Sequence, residues 1–126
     1  MHYYFPGMAV GLILMQTAIV ASSLFRNLEI DDFGRAIRDL WPKFFLALIL
    51  IGVLSTTSLY FEDDAKLLHY SIGLTTILLS LICYLLIPAT NKATDEGNEK
   101  KFSILHRISV TSTVIILLSN IIFLII

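Results

Sequence analysis

Four stretches of this chain are each long and apolar enough to cross a bilayer, and little sequence is left between them. A helix needs roughly 20 mostly apolar residues to traverse about 30 Å of hydrocarbon. The stretches run from residue 3 to about 24, from about 43 to 59, from about 67 to 87 and from about 102 to 126. Composition agrees. The hydrophobic share is 56%, the charged share 15% and the mean hydropathy +0.81, where a soluble domain has about 45–50% apolar and about 25% charged residues. A water-soluble core cannot absorb that excess. The pattern predicts an all-α integral membrane protein, one transmembrane domain over residues 1–126 built as a four-helix bundle.

The first span lacks a basic segment before it and its apolar run is long, so it reads as a span and not as a cleaved signal. The connections differ in charge. Arg26, Arg35, Arg38 and Lys43 lie between spans one and two; Lys92, Lys100 and Lys101 lie between spans three and four, with Arg107 just beyond. The turn FEDDAK holds only Lys66. Eight of the nine basic residues therefore fall on one side, which the positive-inside rule places in the cytoplasm. A plasma membrane, the inner membrane of a bacterium, with both termini on the non-cytoplasmic side is the expected setting. The net charge of −1 is uninformative about nucleic acid, but no basic face exists to bind its phosphates, so no nucleic-acid partner is expected; the partner is the lipid bilayer.

The first connection is more than a linker. In DDFGRAIRDLWPKFF, Asp31 and Asp32 suit a helix N-cap. Phe33, Ile37, Leu40 and Trp41 share one helical face, apart from Arg35, Arg38 and Asp39. That pattern predicts a short interfacial helix over about 31–41, with Trp41 at headgroup depth and Pro42 ending it or starting the next helix. The stretch PATNKATDEGNEKK reads as a solvated, mobile loop.

Helices in lipid attract through close packing and side-chain hydrogen bonds, so small and polar residues mark inward faces. Span one carries Gly7 and Gly11 in GMAVG, continued by Ala18 and Ser22. This is a helix contact within the bundle or a homodimer face. On span four, His106, Ser109, Thr113 and Asn120 form one stripe. A buried asparagine must find a partner, and Gln16, Thr17, Ser55, Thr56, Thr75, Thr76 and Ser80 are available for a polar seam. The seam is structural glue or a path for a solute or proton.

Ionisable groups in spans are functional candidates, and here they are His69, His106 and Arg107, all near edges. Arg107 is an anchor or an anionic contact. His106 is a hydrogen-bonded interfacial histidine, a proton carrier, or a ligand of haem iron or another metal. His2, His69 and Asp63 share the other side and make a weak set for a divalent metal. Cys83 is alone and reads as a small buried hydrophobe. The chain lacks H-E-x-x-H, G-x-S-x-G, P-loop and C-x-x-C signatures, so no catalytic residue is assigned.

SLFRNL with FGRAIRDLWPKFF, LIPATN with Pro88, and FSILHRIS with Phe102, His106 and Ser109 carry a resemblance. The chain resembles the uncharacterised small four-span membrane proteins that include the eukaryotic transmembrane protein 205. More distantly it is similar to the copper-resistance protein D group, some of which bind haem. The resemblance implies that its own motifs converge on the cytoplasmic face. There Arg26, Phe33, Gly34, Trp41, His106, Arg107 and Ser109 would form a small pocket roofed by the 31–41 helix, with Gly34 allowing close packing. Three readings follow: a non-enzymatic membrane protein that handles a small solute or lipid or acts as a scaffold, as an oligomer or alone; a haem- or metal-binding redox protein; and an accessory subunit of a larger membrane complex.

Overall fold

The computed structural model describes residues 3–126, and among them four helices and short connections account for the chain. Helix α1 spans Tyr4–Asn27, α2 Ile30–Ser58 with a 3-10 turn at Leu59–Phe61, α3 Leu67–Asp95 and α4 Glu99–Ile125. All four are long and apolar enough to cross a membrane, and the all-α membrane bundle is what they form. Each helix packs on its neighbours in sequence, and α4 closes the ring on α1. The basic end carries the 28–29 and 96–98 connections; the acidic turn of Glu62, Asp63 and Asp64 lies at the other end.

The interfacial helix is not a separate element. Residues 31–41 are the first turns of α2, which continues through Pro42 into the span. Proline lacks an N–H and crowds the carbonyl four residues back, at a cost of about 3 kcal/mol in an isolated helix. Just after the proline, Phe44 and Phe45 are buried in the core cluster, with Trp41 packed against it. Trp41 lies over Phe44 and Phe45 at centroid distances of 5.2 and 5.5 Å. One turn earlier, Arg38 bonds the Asp95 carboxylate at 2.6 Å. The N-cap is Glu29, in extended backbone, and Asp31 and Asp32 stand in the first turn, where the helix dipole favours negative charge.

Helix α3 likewise runs through Pro88 to Asp95, so the expected loop shrinks to Glu96–Asn98. Its end has a local cause. Gly97 takes φ +67°, a left-handed conformation that glycine adopts without a Cβ penalty. The Asn98 amide reaches back to the Ala93 carbonyl at 2.9 Å and the Gly97 amide to Thr94 at 3.2 Å, which closes the helix in a Schellman pattern. Asn98 then caps α4, its side chain accepting from the Lys101 amide at 3.1 Å.

The glycines that set helix packing are Gly52 and Gly73. A Cβ on Gly52 would stand 2.8 Å from Ile77 Cγ1 and 3.3 Å from the Ile77 backbone nitrogen, and one on Gly73 would collide with the Thr56 hydroxyl. Gly7, Gly11 and Gly34 meet nothing within 4 Å. Gly7 and Gly11 therefore do not form a contact within the bundle, and Gly34 does not bring α2 closer to it. Gly11 and Ala18 are exposed, whereas Ala9 is the small residue of α1 that enters the core.

The core follows from this ring. Ala9, Ile13, Phe44, Phe45, Leu48, Ile51, Cys83 and Ile116 form its larger cluster, drawn from all four helices. Leu59, Ile72 and Phe123 form a smaller one at the acidic end. Helix α1 also contains a π-helical stretch, Met15–Val20, where the Ala21 amide bonds back five residues to Gln16. The Thr17 hydroxyl bonds the Ile13 carbonyl at 2.7 Å. This stretch buries Gln16 while Met15, Thr17, Ala18 and Ile19 stay exposed.

Candidate functional site

The interior carries a line of amide and hydroxyl groups. The end nearer the acidic turn is a completed network. The Asn120 amide, 3% exposed, donates to Thr76 Oγ1 at 2.9 Å and to the Ile116 carbonyl at 2.8 Å; the Thr76 hydroxyl donates to the Ile72 carbonyl at 3.0 Å. Thr113 donates to the Ser109 carbonyl at 2.8 Å, and the Cys83 thiol faces that same carbonyl at 3.8 Å. Further along, the pattern changes. Ser80 Oγ is fully buried and Gln16 Nε2 is buried in a side chain 6% exposed; neither has a hydrogen-bond partner among the described residues.

The depth of each group follows from helix rise, 1.5 Å per residue. Phe123 and Tyr3 touch at a ring distance of 6.2 Å and set a common level. Below it, Asn120 and Thr76 lie at ~5 Å, Ser80 at ~10 Å, Thr113 at ~15 Å and Gln16 at ~20 Å. The seam therefore covers ~15 Å, roughly half of a 30 Å membrane. It draws on α1, α3 and α4 and contains no Asp, Glu, Lys or Arg. Ser112, also buried, belongs to this face; it was legible only as the neighbour of Thr113 in the T-S-T run.

The basic end looks different. His106 is exposed and stacks on Phe102 of its own helix at 5.4 Å and 12°. Phe33 meets Phe25 edge-on at 5.3 Å, Trp41 belongs to the aromatic cluster with Phe44 and Phe45, and Arg26 is exposed at the end of α1. Arg107, also exposed, lines a shallow groove on α4 with Ile104, Ile108, Thr111 and Ser112. Ser109 contributes its carbonyl to the seam. Among the described residues Phe33 packs on Phe25, Trp41 on Phe44 and Phe45, and His106 on Phe102, so each of these expected pocket residues has its own aromatic partner.

At the acidic end His69 is a helix-capping residue. It is 2% exposed, its Nδ1 accepts the Lys66 amide at 3.0 Å, and its ring lies 4.6 Å from Phe123. The sequence signal was its place three residues into α3. Asp63 is exposed in the turn, and His2 lies outside the described residues. No three of His, Cys, Asp and Glu come together as a metal-ligand set among the described residues. Among the described residues, a haem held between His69 and His106 of one copy does not fit either. His69 lies against Phe123, which is 17 residues, or ~26 Å, from His106 along α4.

The fold and seam define a four-span α-helical membrane protein with a neutral polar interior. Residues 5–99 match the model of a family described as a domain of unknown function, DUF4149, and the chain belongs to that family. The match takes in α1, α2 and α3 and stops at the first residue of α4. No curated protein and no solved structure matches the chain.

Proposed function

We propose that this protein is a non-enzymatic membrane protein that handles a small, neutral, hydrogen-bonding solute along its interior seam. The carrying observation is the pair of buried groups without partners, Gln16 Nε2 on α1 and Ser80 Oγ on α3. An unpaired polar group in hydrocarbon costs several kcal/mol, so water or a polar solute entering between the helices would relieve it. The absence of charge along the seam favours a neutral solute. Eight of nine basic residues on one side support a cytoplasmic basic end in a bacterial inner membrane, with both termini outside. The finer likeness to the transmembrane protein 205 group belongs to this reading and supplies no substrate.

A second reading has one observation in its favour. Gly7, Gly11 and Ala18 leave a small-residue face of α1 uncovered, which suits assembly with a second copy or with a larger membrane complex. Flux measurements separate the two. In proteoliposomes challenged with glycerol or urea, the wild type should swell faster than empty vesicles. The Gln16→Leu/Ser80→Ala variant should fall back to the empty-vesicle rate. Equal rates for wild type and empty vesicles would sink the solute reading.

A further inference from the structure

The cations of the basic end are of two kinds. Four have partners: Arg35 with Asp32, Arg38 with Asp95, Lys43 with Asp39 and Lys92 with Glu96. Lys100, Lys101 and Arg107 on α4 have no carboxylate within ion-pair reach among the described residues, although Glu99 precedes them in the same turn. Arg26, at the end of α1, is also unpaired, but it stands alone. Lys100 and Lys101 moreover occupy the first turn of a 27-residue helix. There the helix dipole is positive and disfavours cations. Two lysines at that position without counter-ions mark a place where an outside anion is favoured by both the side chains and the helix end.

The apolar counterpart lies on the same face. Two adjoining shallow surface patches on α4 share Ile104: one includes Lys100 and Lys101, the other Arg107, Ile108 and Thr111. Residues 100, 104, 107 and 111 fall on one helical stripe. From 100 to 111 is 11 residues, ~16 Å, close to the hydrocarbon depth of one leaflet. No residue of α4 from 99 to 111 is buried by the rest of the chain, and Ile104 and Ile108 are about half exposed.

We propose that this stripe is a binding site for an acidic phospholipid. Its phosphodiester sits between Lys100, Lys101 and Arg107, and one acyl chain lies along Ile104, Ile108 and Thr111. Charge complementarity selects the lipid over a partner helix, because unpaired cations at 100, 101 and 107 alternate with exposed isoleucines at 104 and 108 within one leaflet's depth. Ser112 borders both this stripe and the seam, but the three cations and the two isoleucines lie on the exposed face of α4, so the site stands whether or not the solute reading does.

Native mass spectrometry of the full chain, released from nanodiscs of phosphatidylcholine with a minor fraction of phosphatidylglycerol, tests it. Wild type should retain phosphatidylglycerol over phosphatidylcholine by about a hundredfold relative to the nanodisc composition, given roughly 1 kcal/mol for each of the three cations near an acidic lipid. The Lys100→Gln/Lys101→Gln/Arg107→Gln variant should lose that enrichment. The Arg26→Gln/Lys43→Gln/Lys92→Gln variant removes the same charge elsewhere and should keep it. All these side chains are exposed, and helical circular dichroism confirms that each variant is folded. Enrichment that persists in the first variant, or that vanishes equally in both, would overturn the site; the second pattern would mean diffuse surface charge alone.

Discussion

The two ends of the bundle solve the same packing problem with different means. At the acidic end α2, α3 and α4 approach closely: Gly73 admits Thr56, Asn120 bridges α4 to Thr76, and Phe123 is wedged against His69 and Tyr3. At the basic end the helices are held by Phe44 and Phe45 in the core cluster and by one exposed ion pair between helices, and no residue in the first three turns of α4 is fully buried. Close approach needs small residues and satisfied amides, while a polar headgroup region can solvate whatever the helices leave uncovered. The tight end therefore carries the fold, and the loose end is free to meet lipid.

Substitutions at the two ends should differ accordingly. Gly73→Leu should be the most damaging, because its side chain must enter space held by Thr56 and the α2 backbone; a loss of about 3 kcal/mol or more is expected. Thermal unfolding in detergent would show it, and Gly11→Leu, which meets nothing in the monomer, should leave the midpoint unchanged. An equal loss in the Gly11 variant would break the comparison and place α1 in an oligomer contact.

Asn120→Leu should cost about 1 kcal/mol, the scale of a side-chain hydrogen bond between helices in a membrane. Thr76 keeps its own bond to Ile72, so Thr76→Val added to it should cost less than it does alone. Additive losses would mean that the two side chains do not act as a pair.

Arg38→Gln should cost under about 1 kcal/mol, since its side chain is 38% exposed and that of Asp95 62%, and such pairs are screened by salt. The small loss should disappear in high salt. His106→Ala should be smaller still, removing only a stacking contact with Phe102 on an exposed face. A large loss at His106 would show that the basic end holds something more than lipid.

Part of the site was legible before the fold was known. Asn120 and Thr113 stood out because amides and hydroxyls in an apolar run need inward partners, and both are buried. Gln16 was legible for the same reason, but its lack of a partner was not, since that depends on what α2, α3 and α4 place opposite it. Arg38 and Asp95 are 57 residues apart, and no local pattern links them. His106 misled because proximity in sequence to the polar stripe suggested burial, whereas its turn of α4 projects past the packed part of the bundle.

Hydropathy is a local sum, and the sequence by itself determined the number of spans, the charged end, and the residues that cannot face lipid. Tertiary structure decided the rest. It carried α2 through Pro42 and α3 through Pro88, chose Gly52 and Gly73 over Gly7 and Gly11 as the contact glycines, and paired Asn120 with Thr76. Each of those outcomes depends on side chains that meet from different helices, and such pairwise contacts exist only once the helices have chosen their neighbours.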